Sequence, residues 1–416
     1  MREATDRFAL THSGESSNRQ PVHTVYGGAH LFRADVAAKF GSHALRFMDE
    51  HAPDPGGLAH AFDVSNELAD AVYGRVREKL AREPIEDFRI DFEDGYGLHA
   101  DDEEDGCAIA AAREVARGMV GASLPPFLGI RVKALSGGTA RRAVRTLDLF
   151  LSELLAQSGG ALPDNFVVTL PKVVLREQVA AFTGLLEQLE GGLGLERGRL
   201  MIELMVETPQ AIIDADGRCP LSSFVEAARG RCRGAHFGVY DYTASLSITA
   251  AQQLMRHPAC DFARQVMQAA LAGTGIMLSD GATNVIPVPP RERLLAAWRL
   301  HFTDVRHSLA NGFYQGWDLH PAHLPSRYAA VFAFFRDGLD RATERLRSFI
   351  ERAAQASLVG EVFDDAATGQ GLLNYFLRAL NCGAISEDEV LATGLSVAEL
   401  RLRSFAAIVG RRTQNS

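Results

Sequence analysis

The sequence predicts a closed barrel of eight alternating β/α units, a TIM (β/α)8 barrel, followed by additional helices. Three observations carry this expectation. Eight strand-like runs alternate with helical ones, the order that places helices around a parallel sheet. The strand-like runs are almost continuously apolar, as in strands covered on both faces. Several of them also end on an acid or a base, where such a barrel opens. A doubly wound open sheet shares the rhythm, because local periodicity does not reveal closure.

The organising stretch is Met201-Ile202-Glu203-Leu204-Met205-Val206-Glu207-Thr208-Pro209. It reads as a buried strand ending at Glu207, with Pro209 suited to the first turn of a following helix. The run from His236 to Tyr242 repeats the plan and delivers Asp241. Earlier in the chain, Val22–Tyr26 is β-rich and closed by two glycines. Helical patterns follow over 36–49 and 63–81, the second marked by Leu68, Val72, Val76 and Leu80 at four-residue spacing. Phe88–Asp94 is the second strand. Helices over 102–119, 139–157 and 176–191 then alternate with strands at Phe127–Val132 and Phe166–Leu170. Helices near 221–229 and 250–272 flank the Asp241 run. Gly275–Leu278 leads into Ser279-Asp280-Gly281, and a helix near 291–311 precedes the last strand at Gln315–Pro321. The domain division is therefore 1–20 poorly ordered, 21–328 barrel, and 329–416 helical extension. Within the extension, helices over 326–357 and 371–408 are separated by a break at Gly360–Gly371.

The 416 residues suit a barrel of about 250 residues with extensions. A composition 47% apolar and 23% charged is that of a globular protein with ample core. The net charge of -9 speaks against a general nucleic-acid binder. Five scattered cysteines without metal-type spacing read as reduced thiols. With neither a signal-peptide pattern nor a run of about 18 apolar residues, the expectation is a cytoplasmic protein without membrane contact.

The candidate site residues are the polar groups at strand ends: Glu93, Asp94, Arg131, Lys172, Glu207, Asp241, Asp280 and His320. Each has an ordinary reading. Asp94-Gly95 alone is a turn, Glu207 could stabilise a helix N-terminus, Lys172 could partner an acid, and His320 could be a loop residue. Together at one end of a barrel they suggest a site. Glu207 and Asp241 supply the oxygen ligands that Mg²⁺ takes from protein. Such an ion would polarise a 2-oxo acid and stabilise an enolate. Arg131 offers a planar, fixed positive charge to that oxygen, and Glu93 and Asp94 suit waters around the metal. His23, Asp280 and His320 are candidates for the general base or for substrate contacts. Arg142 and Arg145 share a helical face, read as a solvated basic face or an anion site.

The ordered set Asp91-Phe92-Glu93-Asp94, Ile130-Arg131-Val132, Leu170-Pro171-Lys172, Val206-Glu207-Thr208-Pro209, Phe237–Asp241 and Leu319-His320-Pro321 resembles the HpcH/HpaI aldolase and citrate lyase β-subunit family. That family belongs to the phosphoenolpyruvate/pyruvate barrel superfamily, which also includes malate synthase. The resemblance spans residues 22–328. It implies Glu207 and Asp241 as ligands of Mg²⁺ (or Mn²⁺), Arg131 at the substrate oxygen, and Glu93 and Asp94 near the metal water. It also implies a homo-oligomer acting on a small acid, free or as a coenzyme A thioester. The arginine-serine pair that opens lyase β-subunits is replaced here by Val22–Gly28. The expected function is a Mg²⁺-dependent carbon–carbon lyase or aldolase. A phosphotransfer enzyme acting on enolpyruvate and a non-catalytic barrel subunit are the alternatives.

Overall fold

The structure is a computed structural model that describes residues 2–12, 14, 18–359 and 366–414. Eight parallel strands close into a barrel in chain order. They are β1 (His23–Gly28), β2 (Asp87–Asp91), β3 (Phe127–Arg131), β4 (Phe166–Leu170), β5 (Met201–Val206), β6 (Cys232–Phe237), β7 (Met277–Ala282) and β8 (Gln315–Asp318). Closure is made by β1 on β8, with His23 opposite Gly316 and Val25 opposite Asp318. The open-sheet alternative is thereby excluded.

Each strand leads into a crossover helix, as parallel pairing requires. The helix Asn66–Arg82 shows why these segments form where they do. Ser65 accepts the Leu68 amide at its start, and Val72, Val76 and Leu80 bury one face against the barrel. Two elements of the barrel differ from the sequence expectation. The sixth strand begins at Cys232, four residues before the apolar run, because Arg233 and Gly234 disguise it. The helix expected over 250–272 is a short 3-10 turn, Ala250–Gln252, followed by Pro258–Leu271.

The interior of the barrel is not the usual stack of branched apolar side chains. Arg89 lies at its centre, fully buried, and donates to Asp87 at 2.5 Å and to Glu203 at 2.5 and 2.9 Å. Thr169 joins Arg89 and Glu203, while Thr24 donates to Asp87 and accepts from Gln315. Above this layer sit Tyr26, Met205, His236 and Trp317, with the Tyr26 hydroxyl 3.1 Å from His236 Nδ1. Glu203 is held well below the usual carboxylate range, since burial, which would raise it, is outweighed by the charges and hydrogen bonds of Arg89 and His236 together.

The N-terminal residues, expected to be poorly ordered, form a helix over Arg2–Thr11. Arg19 is anchored on Glu83 at 2.8 and 2.9 Å. The helix expected over 326–357 is divided into Leu324–Arg336 and Leu339–Val359, and that over 371–408 into Ala366–Cys382, Glu387–Leu391, Val397–Leu400 and Phe405–Gln414. The helix Ala366–Cys382 begins before the expected break ends, and residues 360–365 of that break lie outside the described residues. The extension docks at the N-terminal end of the barrel, where Arg378 donates to Gln20 at 2.9 Å. Gln20 in turn donates to the Leu278 carbonyl of β7 and to Gln315 of β8. Among the described residues no helix is long and apolar enough to cross a membrane.

Removing one partner of a buried ion pair leaves the other charge uncompensated, at a cost of about 3–5 kcal/mol. Glu203→Ala should therefore lower unfolding free energy by roughly 3 kcal/mol in urea denaturation. A loss below about 0.5 kcal/mol would mean that Asp87 alone satisfies Arg89.

Candidate active site

The polar strand ends converge at the carboxyl end of the barrel. Arg131, the last residue of β3, is buried and donates through Nε and Nη2 to both oxygens of Asp91, at 2.7 and 2.5 Å. Its guanidinium stacks 4.9 Å from the Tyr26 ring centroid. The Asp91 oxygens also accept the backbone amides of Glu93 and Gly95. Asp91 thus fixes both the arginine and the acidic turn that follows β2. The third nitrogen of Arg131 faces outward, 3.3 Å from Glu93 and 3.8 Å from Asp94.

Lys172 follows β4 with φ of 51°, a left-handed conformation that a lysine adopts only when its surroundings hold it there. The turn aims its backbone amide at Glu207 Oε1, 2.7 Å away. Its ammonium contacts Glu93, lies 3.2 Å from Asp94 and 3.4 Å from Asp241 Oδ2. The lysine charge is held up by these acids against the penalty of burial, so it is protonated at neutral pH.

Glu207 lies just beyond β5 and is 2% exposed. Burial pushes its carboxyl up to about 7, and Asp241 adds to the rise while Arg131 and Lys172 oppose it. Gly238 is required beside it, because a Cβ there would stand 2.4 Å from Glu207 Cβ and 2.7 Å from Oε2. Among the described residues Oε2 receives no hydrogen bond. Asp241 is not at the strand end itself but in the first turn of the helix Val239–Ser245. Of the acidic turn, burial raises Glu93, whereas the Glu93 hydrogen bond and the charges of Arg131 and Lys172 hold Asp94 down despite burial.

Glu93, Asp94, Arg131, Lys172, Glu207 and Asp241 are therefore brought together; the remaining candidates are not. His23 stands at the opposite end of β1, fully buried, with Nδ1 2.6 Å from Asp318 and Nε2 accepting the Glu86 amide. In β1 it alternates with Thr24 and Tyr26, which take the interior. Asp280 faces the helical layer, paired with Arg264 at 3.0 Å and accepting from Ser308 at 2.6 Å. Neither can touch a substrate at the mouth. His320 caps the turn Pro321–His323, its Nδ1 accepting the Ala322 amide at 3.1 Å, and it packs on Phe47. Burial and His43 lower its pKa, so the ring is neutral with its proton on Nε2 and neither nitrogen is free to act as a base. Arg142 and Arg145 both pair with Asp105 of the preceding helix, which settles the basic helix face as an inter-helix ion pair. Asp91 and Tyr26 carry no assignment from the sequence, although Asp91 opens the Asp-Phe-Glu-Asp run; an acid two residues before the turn was the available signal.

The donor set fits a hard cation. Glu207 and Asp241 offer carboxylate oxygens, and the Lys172 ammonium already lies 3.4 Å from Asp241 as a positive charge. Among the described residues no group of three or more His, Cys, Asp or Glu has ligand geometry. Mg²⁺ does not need one, since it usually takes one or two carboxylates and keeps its waters.

The family model described as "Domain of unknown function (DUF6986)" matches residues 1–408. The chain belongs to this family. The DUF6986 match includes the extension as well as the barrel, whereas the motif resemblance to the HpcH/HpaI group stopped near residue 328. No curated protein matches the sequence. Among solved structures, a citrate lyase from Burkholderia xenovorans LB400 is similar with a TM-score of 0.57 and 18% identity, over 77% of this chain and 92% of that one. A malate synthase from Haloferax volcanii is similar with a TM-score of 0.51 and 14% identity, over 97% of this chain and 99% of that one. At these identities the likeness is one of fold.

Glu207 binds its proton more tightly in the folded than in the unfolded chain. Its contribution to stability is therefore complete below about 4.5 and is lost as pH rises through about 7. In cation-free buffer near pH 8, Glu207→Gln should be more stable than the parent by up to about 3 kcal/mol, and the two should converge toward about pH 4. Parallel denaturation curves across this range check the sign.

Proposed function

We propose that this DUF6986 protein is a Mg²⁺-dependent carbon–carbon lyase or aldolase that acts on a small 2-oxo or 3-hydroxy acid. The observation that carries this reading is the Glu207 carboxylate, buried beside Asp241 with one oxygen lacking a hydrogen-bond donor. A desolvated acid of this kind invites a cation. Mg²⁺ held by Glu207 and Asp241 would supply Lewis-acid polarisation of the substrate carbonyl and charge for an enolate.

The chain's own residues have distinct parts. Asp91 occupies two nitrogens of Arg131, and the third, 3.3 Å from Glu93, is the one that would meet a substrate carboxylate or developing oxyanion. The stacked Tyr26 ring and the Asp91 fork keep that guanidinium from following the substrate, so its charge is in position beforehand. Lys172 holds Glu207 through its amide and balances Glu93 and Asp94 through its ammonium. Glu93 and Asp94 accept hydrogen bonds at the rim, where they can orient water. A 2-oxo acid is supported as substrate class by the hard, anionic donor set on one side and the fixed guanidinium on the other. The malate synthase of this fold was solved at 3 mM glyoxylate, itself a 2-oxo acid.

Enolate formation is measurable without knowing the physiological substrate. With Mg²⁺ present, the protein should exchange the methyl hydrogens of pyruvate or the methylene hydrogens of oxaloacetate with solvent deuterium. Glu207→Gln and Asp241→Asn should each reduce the exchange by about 100-fold or more, and chelation should abolish it. Arg131→Lys, which keeps the charge but loses the fork, should cost about tenfold or more. Exchange that persists unchanged in both acidic variants rules out this mechanism.

A further inference from the structure

The chemistry proposed for the mouth takes a proton from carbon, and the residues already gathered there leave no base for it. Arg131 is a fixed cation and Lys172 is protonated, while Glu93 and Asp94 are engaged by both. Glu207 and Asp241 are the oxygen donors for the cation. The Tyr26 hydroxyl is buried and bonded to His236. His23, Asp280 and His320 are tied to Asp318, Arg264 and the Ala322 amide. The turn that follows β1 holds a further imidazole.

Thr24 and Tyr26 of β1 face the barrel interior, so strand alternation turns the Gly28 position inward at the rim. Gly28 pairs in register with Asp91, the residue that holds Arg131. A Cβ at Gly28 would collide with the Gly95 carbonyl oxygen and stand 2.7 Å from His30 Cε1 and 3.0 Å from His30 Nδ1. The His30 ring therefore takes the inward place that a side chain at 28 would fill. Gly95, against the same point, gives its amide to Asp91 at 2.8 Å. His30 itself lies within the 3-10 turn Ala29–Leu31. Its ring rests on buried Tyr96, with centroids 5.6 Å apart, and stands 6.4 Å from the ring of His99. The two histidines differ in what they are free to do. His99 is committed, with Nδ1 2.9 Å from Glu103 and Nε2 3.0 Å from the Tyr96 carbonyl. His30 is exposed, and among the described residues neither of its ring nitrogens has a hydrogen-bond partner. The nearby Lys133 ammonium, 5.3 Å from the Tyr96 ring centroid, is bound to the Phe92 carbonyl and to Glu104.

We propose that His30 is the general base of the mouth, an inference that rests on the enolate reading given above. A ring nitrogen takes a proton from the carbon next to the substrate carbonyl. The C–H electron pair becomes the new carbon–carbon double bond, and the carbonyl π pair moves onto oxygen, where the outward nitrogen of Arg131 meets the charge. In the reverse transfer the imidazolium gives a proton back to the same carbon. Because His30 is exposed, its ring proton is replaced from solvent between the two transfers, which is how deuterium enters the substrate. Imidazole is the side chain suited to both directions near neutral pH.

The test follows deuterium exchange into pyruvate by the full chain with Mg²⁺, over a range of pyruvate concentrations. His30→Ala should lower the maximal rate about 100-fold or more, the range of general-base catalysis. The half-saturating pyruvate concentration should move less than about threefold, because the base acts in the transition state and not in binding. Replacing an exposed side chain leaves the core intact, so the variant folds as the parent does. Added imidazole should raise the rate of His30→Ala in proportion to its concentration and leave the parent unchanged. His99→Gln should exchange like the parent. Exchange at the parental rate in His30→Ala overturns the assignment and leaves the enolate reading standing. So does a loss confined to the half-saturating concentration, a loss that imidazole does not restore, or an equal loss in His99→Gln. A parent that shows no Mg²⁺-dependent exchange removes the enolate reading, and the base with it.

Discussion

The structure turns on an imbalance of charge at the carboxyl end of the barrel. Asp91, Glu93, Asp94, Glu207 and Asp241 surround a mouth where, among the described residues, Arg131 and Lys172 are the cations that contact them. Asp91 and Arg131 neutralise one another through a two-pronged bond. Lys172 is then shared among Glu93, Asp94 and Asp241, and it reaches Glu207 only by its backbone amide. Carboxylates crowded in this way favour either protonation or a bound cation, and which occurs is set by pH and metal concentration. The left-handed backbone at Lys172 fits this account. A conformation that disfavours itself persists because two independent bonds, one from its amide and one from its ammonium, hold it.

Support for the mouth comes from below. A barrel packed with branched aliphatic side chains would place Arg131 over an apolar floor. Here the floor is Tyr26, bonded to His236, over a layer in which Arg89 is satisfied by Asp87, Glu203 and Thr169. Every member of that layer has a partner, the condition under which a buried polar network specifies one arrangement instead of weakening the core. Rigidity below and charge crowding above are thus two parts of one device.

What the sequence revealed follows from what periodicity can encode. Continuous apolar runs ending in Glu207 or Arg131 mark strands covered on both faces, and their order gives the barrel. A run of one or two residues cannot say which face a side chain takes. His23 and Asp280 sit in genuine strands, yet His23 falls out of phase with Tyr26 and Asp280 turns to Arg264 in the helical layer. A shift of one residue exchanges the two faces, so chemistry-bearing residue type was a poor guide there. Asp241 was legible as an acid after β6, but not as a helical residue, because the Val239-Tyr240 pair prolongs the apolar run past the true strand end. The supporting roles of Asp91 and Tyr26 depend on pairing across strands, which no local pattern records.

The position of the extension separates this chain's architecture from a barrel closed over its own mouth. Arg378 on Gln20 and the ion pair of Glu389 with Arg75 tie the extension to the N-terminal end and its flanking helices. All six residues gathered at the mouth come from residues 93–241, within the barrel. The extension therefore adds buried surface at the end where barrels of this kind devote structure to stability, and leaves the open end to the loops. Leu31, Leu98, Leu175 and Leu319 on those loops are exposed around the mouth. Among the described residues, the C-terminal helices, docked at the far end of the barrel, do not cover the opening these leucines surround.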